Sequence, residues 1–260
     1  MSPRSCLLRC AGLALLLGSS LSAQAPAPST APALPLQQQI DELRTELREI
    51  KALLQERSAR MEAPIAPKRP EVLSVNVHGE PFRGSALARV AILEYSDFDC
   101  SYCAQYATTI YPLLDHAYVQ AGRVKYFFRD LPGPEHPGAT FKARLARCAG
   151  EQEKFWEGHD HLFRNQVPFD NQAMERLLKN VGLEEKAFKA CIQSDRYIEI
   201  LQRSAQGARR MGLNGTPAFL IGTLSEDGRL LTATKVFLGA ESYEAFRTVL
   251  DELLKAPQAN

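Results

Sequence analysis

Two cysteines with two residues between them, Cys100-Ser101-Tyr102-Cys103, follow the apolar run RVAILEY (residues 89–95) and open a segment of helical periodicity. Such a run reads as a buried strand. A helix starting right after it puts Cys100 at or just before the first turn, as the exposed nucleophile. Unpaired backbone N–H groups and the positive end of the helix dipole stabilise a thiolate there. Cys103, one turn further in, is the buried partner. The two-residue spacing lets the sulfurs meet, so the pair can cycle between dithiol and disulfide without metal or cofactor. A zinc half-site would need a second close ligand pair, and Cys148 and Cys191 lie far apart with no helpful histidine spacing. An inert structural bridge is the other bland alternative, and a C-x-x-C between strand and helix argues against it.

The remaining cysteines depend on how the chain is processed. Residues 1–23 carry Arg4 and Arg9 ahead of an apolar run, then small residues, which is the layout of a removed secretory signal. The apolar run is broken by Gly18, Ser19 and Ser20, well short of the about 20 residues a membrane span needs. The cut follows Ala23 or Ala25, and Pro26 favours Ala23. It takes Cys6 and Cys10 with it and moves the formal charge from +1 to about −1. Nothing in that charge suggests a nucleic-acid partner. Four cysteines remain, which permit three pairings. Cys148 and Cys191 are expected to bridge two helices, since oxidised secreted domains seldom keep two free thiols. Two buried free thiols are the alternative. Closing that loop is worth about 4 kcal/mol by the chain-entropy estimate.

The segments on either side of the pair follow a readable order. Residues 24–35 form an Ala/Pro-rich linker. In residues 36–60, Leu36, Ile40, Leu43, Leu47, Ile50 and Leu54 mark a short heptad, with Glu46 able to face Lys51 of a parallel neighbour. A coiled-coil oligomerisation helix, dimer or trimer, is expected there; a helix docked on its own globular part is the alternative. A second, Pro-rich linker spans residues 61–71. The globular part, residues 72–256, starts with strands at 72–77 and 89–95, then a helix from Cys100 to about Gln120 ending at Gly122. VKYFFRD (residues 124–130) completes a β-α-β unit. Residues 138–211 read as an all-helical insertion. In it Phe155, Trp156, His159, Leu162 and Phe163 share a buried face, and His159 and His161 point apart, so they are not read as ligands. Strands return at 218–221 and 235–238 around Asp227-Gly228, and a helix over 242–254 closes the chain.

EYSDFDCSYC, KYFFRDLP, CAGEQEKFWEGHDHLF and GLNGTPAFLIG, in that order, resemble the bacterial DsbA/DsbG-type branch of the thioredoxin superfamily, over about residues 72–256. The resemblance implies an α/β, thioredoxin-like fold with an all-helical insertion, here preceded by an N-terminal coiled-coil helix. It implies a periplasmic protein disulfide oxidoreductase or isomerase acting on cysteines of exported proteins and served by a membrane or soluble redox partner. It also implies that Thr216-Pro217 is a cis-proline loop facing the cysteines, although X-Pro bonds in general are overwhelmingly trans. Thr216 is then free to pair with an extended substrate strand.

Glu94, six residues before Cys100, matches the family's buried acid, able to exchange a proton with the inner thiol; the alternative is a strand residue facing solvent. Lys125 matches the partner of that acid. The dipeptide Ser101-Tyr102 departs from the proline and histidine of the strongest oxidases, which points to a less oxidising couple. The heptad segment and Thr216 weigh toward isomerisation, with plain oxidation about even. A different class of reading is an envelope or surface interaction protein that keeps the scaffold for binding and the heptad for assembly.

Overall fold

The computed structural model describes residues 35–61, 73–166 and 168–256, without the side chains of residues 56–61. The expected signal at residues 1–23 lies outside the described residues, as do the two linkers apart from Pro35 and Met61. The described residues fall into two units, one holding α1 and the other everything from the first strand on.

Helix α1 (Leu36–Met61) carries the heptad residues on a surface that nothing in its own unit covers. In the second unit, a six-stranded sheet has the order β1-β6-β5-β3-β4-β2. β3 (Val90–Ser96) is central, parallel to β4 (Val124–Asp130) and antiparallel to β5 (Ala218–Leu224). All its residues are buried, because both sheet faces are covered, and this is why the run is continuously apolar rather than alternating.

On one face Val90, Ile92, Tyr126, Phe219 and Ile221 pack under α3 (Tyr111–Leu114) and α9 (Tyr243–Lys255). On the other, Ala91, Leu93, Tyr95 and Phe127 meet Ala208 of α8 (Ile198–Arg210) and Leu213. α8 closes a helical insertion made of α4 (Ala139–Gly150), α5 (Phe155–Arg164), α6 (Asn171–Val181) and α7 (Glu185–Gln193). Cys148 on α4 and Cys191 on α7 are joined by a disulfide, with Cα atoms 5.7 Å apart. Leu145, Leu162, Phe163, Leu177 and Phe188 fill the core of the insertion.

Three features differ from the sequence reading. β6 (Leu230–Leu238) begins well before Lys235. Its first half, LLTAT, has polar threonines on one side and pairs with edge strand β1 (Leu73–Asn76), so it lacks the apolar signature of a central strand. β2 (Phe82–Arg83) is an edge strand of two residues, too short to leave a periodic signal. The helix after Cys103 is not uniform. α2 (Ser101–Gln105) runs into a π-turn (Tyr106–Ile110), α3 and a second π-turn (Asp115–Val119). Thr108 and Thr109 donate hydroxyl hydrogen bonds back to the Ala104 and Gln105 carbonyls, both at 2.7 Å, and Pro112 removes a backbone donor, so the regular ladder is interrupted.

Candidate redox site

The last residues of β3 aim the chain at the site, and Asp97 shapes the turn that follows. Its carboxylate, fully buried, accepts hydrogen bonds from the Asp99 N–H (2.8 Å) and the Gly133 N–H (2.7 Å), and pairs with His136 Nδ1 (2.8 Å). The Cys100 N–H donates to the Asp97 carbonyl at 3.1 Å, and the Ala104 N–H to the Cys100 carbonyl at 3.0 Å. Cys100 is therefore the N-cap of α2, as the strand-to-helix spacing requires.

Both cysteines are free thiols. Cys100 is less open than the sequence reading expected, only 5% exposed, because the Thr216 carbonyl lies 3.4 Å from its sulfur. Tyr102 between the cysteines is exposed instead. Thr216-Pro217 is cis and leads into β5, whose Ala218 pairs with Tyr95 at the end of β3. The strand pairing thus carries the proline loop to the sulfur.

The two thiols are driven apart in acidity. Cys100 is lowered to about 5 by the hydrogen bond from the Cys103 thiol, against the effect of burial, and further by Thr216 and the Cys103 and Tyr102 amides. The Thr216 contribution belongs to its hydroxyl, because the carbonyl that touches the sulfur has no proton to give a thiolate. Cys103, fully buried, is pushed far above its ordinary value by desolvation, by its hydrogen bond to Cys100 and by the charge of Glu94. Loss of the first proton therefore falls on the outer sulfur.

Glu94 is 1% exposed and lies beneath the pair. Burial raises it to about 7, while the Tyr126 hydroxyl, donating to Oε2 at 2.6 Å, pulls the other way. The Tyr106 hydroxyl lies 3.1 Å from that of Tyr126, so two buried phenols form one chain ending on the carboxylate. Glu94 Oε1 and Ser96 Oγ are buried with no hydrogen bond of good geometry, yet the Ser96 hydroxyl is near enough to lower both Glu94 and Cys103, while the charge of Glu94 raises Cys103.

Lys125 is not the partner of Glu94. It sits in register with Ala91 and on the face of Phe127, whereas Glu94 shares the opposite face with Tyr126. One residue along a strand reverses the face, which a motif match does not resolve. The roles of Tyr126, Ser96, Asp97 and His136 were missed in the sequence. Period-two alternation puts Ser96 on the face of Glu94, and that signal was available; Tyr126, Asp97 and His136 come together only through tertiary packing.

A sequence pattern of the thioredoxin family matches residues 76–252. The chain belongs to that family. Among relatives of this thioredoxin-family chain, the Na(+)/H(+) antiporter NhaA 3 of Salinispora tropica is 30% identical over 159 residues, 61% of this chain and 22% of the antiporter. A protein of Rickettsia typhi, provisionally named protein-disulfide oxidoreductase RT0103, is 28% identical over 145 residues, 53% of each chain. The chain thus spans about a fifth of the first relative and about half of the second. Among solved structures, alpha-DsbA1 of Wolbachia pipientis superposes with a TM-score of 0.61 at 20% identity, covering 69% of this chain and 93% of that one, and so shares the fold.

Proposed function

We propose that this chain is a thiol-disulfide oxidoreductase acting on cysteines of exported proteins in the periplasm, through the Cys100-Ser-Tyr-Cys103 pair. The observation that carries this reading is the placement of Cys100 as the N-cap of α2 against the cis Thr216-Pro217 loop, with Cys103 fully buried behind it, an arrangement that lowers the outer thiol and keeps the inner one protonated. A thiolate is the attacking form, and an acidic thiol is also the better leaving group.

In the reducing or isomerising direction, Cys100 thiolate attacks a substrate disulfide. One substrate sulfur leaves as thiolate and a mixed disulfide forms. In reduction Cys103, once deprotonated, then attacks the Cys100 sulfur, the second substrate sulfur leaves, and the enzyme holds the disulfide; in isomerisation another thiolate of the substrate attacks the mixed disulfide instead and Cys100 leaves as thiolate, so the pair stays reduced. Glu94, titrating at about 7, takes the Cys103 proton. Oxidation of a substrate dithiol runs the same steps backward and leaves both enzyme cysteines reduced, so a redox partner must reset the pair. Thr216, next to Cys100 and preceding Pro217, offers backbone to an extended substrate segment, which suits broad specificity.

The exposed stripe of α1, with Leu36, Leu43, Leu47, Ile50 and Leu54 all more than half exposed, supports self-association and with it isomerisation, since an assembly presents several sites to one client. The same stripe is what favours the second reading, an envelope interaction protein with little redox turnover.

One experiment separates them. Iodoacetamide modification of the reduced chain, followed against pH, should show a midpoint near 5, and Cys100→Ala should abolish both insulin reduction and thiol oxidation. A midpoint near 9, or full biological activity in the Cys100→Ala chain, overturns the enzymatic reading.

A further inference from the structure

Lys125, excluded from the redox site by its strand face, occupies an unusual position. It is 8% exposed, yet no carboxylate or hydrogen-bond acceptor among the described residues reaches its ammonium. Its neighbours are aromatic: Nζ lies 4.0 Å from the ring centroid of Phe82 and 5.2 Å from that of Phe127. Cation-π contact replaces only part of the lost hydration, and desolvation lowers the basicity of the group. A covered cation left in this condition is prepared for an anion from outside.

The same side chain lines a groove of about 1140 Å³ between the sheet and the helical insertion. Its exposed apolar lining is Phe82, Leu87 and Ile200, with part-buried Trp156, while Phe127 and Leu224 are buried behind it; Arg89, which has no ion-pair partner among the described residues, also lines it. The volume is at or above the range of small-molecule sites, which runs to about 1,000 Å³. Glu80, Glu153, Glu226 and Asp227 also line it and balance the charges of Arg89, Arg147 and Arg229, which counts against polyanions. The groove therefore suits one negative charge on a long apolar body. It lies toward the start of β3, the end opposite Cys100.

We propose that this groove binds a fatty-acid-like ligand, an apolar chain ending in a single carboxylate, with the carboxylate on Lys125 and the chain along the apolar lining of Phe82, Leu87 and Trp156. Carboxylate and ammonium compensate each other in a partly dry site, where such a contact is stronger than in water. The inference does not rest on the redox reading, and the Cys100→Ala chain should bind equally well.

Trp156 is the sole tryptophan of the sequence and lies in the groove wall, so its emission reports occupancy. Titration of the full chain with dodecanoate should give a saturable one-to-one response below the micelle concentration. Lys125→Met should weaken binding about tenfold or more, the loss of one charge-assisted contact, with thiol-disulfide exchange unchanged. Dodecan-1-ol should bind no better than dodecanoate binds the variant. Should Lys125→Met fail to fold, the acid-against-alcohol comparison on the unmodified chain decides alone. Equal affinity for acid and alcohol, no saturable response, or a folded Lys125→Met chain that binds dodecanoate as before overturns the proposal. A peptide with a hydrophobic end, tested as free acid and as amide, distinguishes a protein terminus; binding of the peptide acid without dodecanoate binding removes the fatty-acid assignment.

Discussion

Glu94 lies buried beneath the cysteines, and its own proton is governed by burial opposed by Tyr126. The folded chain keeps this proton up to about pH 7, whereas an unfolded glutamate loses it near 4.5. With the folded value raised, the contribution of Glu94 to stability is full below about pH 4.5 and is lost as pH rises through 7. Urea unfolding of the reduced chain from pH 4 to 8 should therefore show the advantage over Glu94→Gln shrinking across that window. Tyr126→Phe removes the donor that favours the carboxylate, so the upper end of the window should move up by about one pH unit, the worth of one hydrogen bond. Parallel pH profiles in all three chains would show that Glu94 is not protonated as described.

Among the elements, α1 and the helix after Cys103 show how differently a periodic pattern can be realised. α1 is the helix its heptad announces, and its leucines face outward. Deletion of residues 36–60 should yield a monomer by sedimentation equilibrium, with lowered isomerase activity and unimpaired thiol oxidation. An unchanged mass, or unchanged isomerase activity, removes the argument from assembly. The other helix keeps its buried face, Tyr106, Tyr111, Leu114 and Tyr118, through two π-turns. Spacing of apolar residues predicts the face but is blind to local widening, which at the first π-turn goes with hydroxyl back-bonding at Thr108 and Thr109.

At the scale of the globular unit, one guanidinium ties the insertion to the sheet. Arg147 of α4 donates to Asp130 at the end of β4 (2.7 Å) and to Glu80 (2.9 Å), and Glu80 in turn accepts from Arg129 at 2.8 Å. Asp130 is 1% exposed, and burial raises its pKa while Arg147 lowers it. Removing one partner of such a pair leaves a buried charge, and Arg147→Met should cost about 3–5 kcal/mol at neutral pH. The loss should narrow on acidification, because protonation of Asp130 relieves the unpaired charge. Thermal unfolding at several pH values checks this, and a loss independent of pH would mean that the packing of the Arg147 stem, not its charge, holds the insertion.

The strand-to-helix setting of Cys100 and Cys103, the order of elements, the helical character of residues 138–211 and the family are all legible from the residues, because each is written in local spacing or in a contiguous motif. Only packing brings Tyr126, and not Lys125, to Glu94, gathers Gly133 and His136 on Asp97, and makes the Thr216 loop, already expected to face the cysteines, leave Cys100 only 5% exposed. The physical reason is that a side chain's partner depends on strand order, register and face. A slip of one residue reverses the face, and no local pattern records what lies across the sheet.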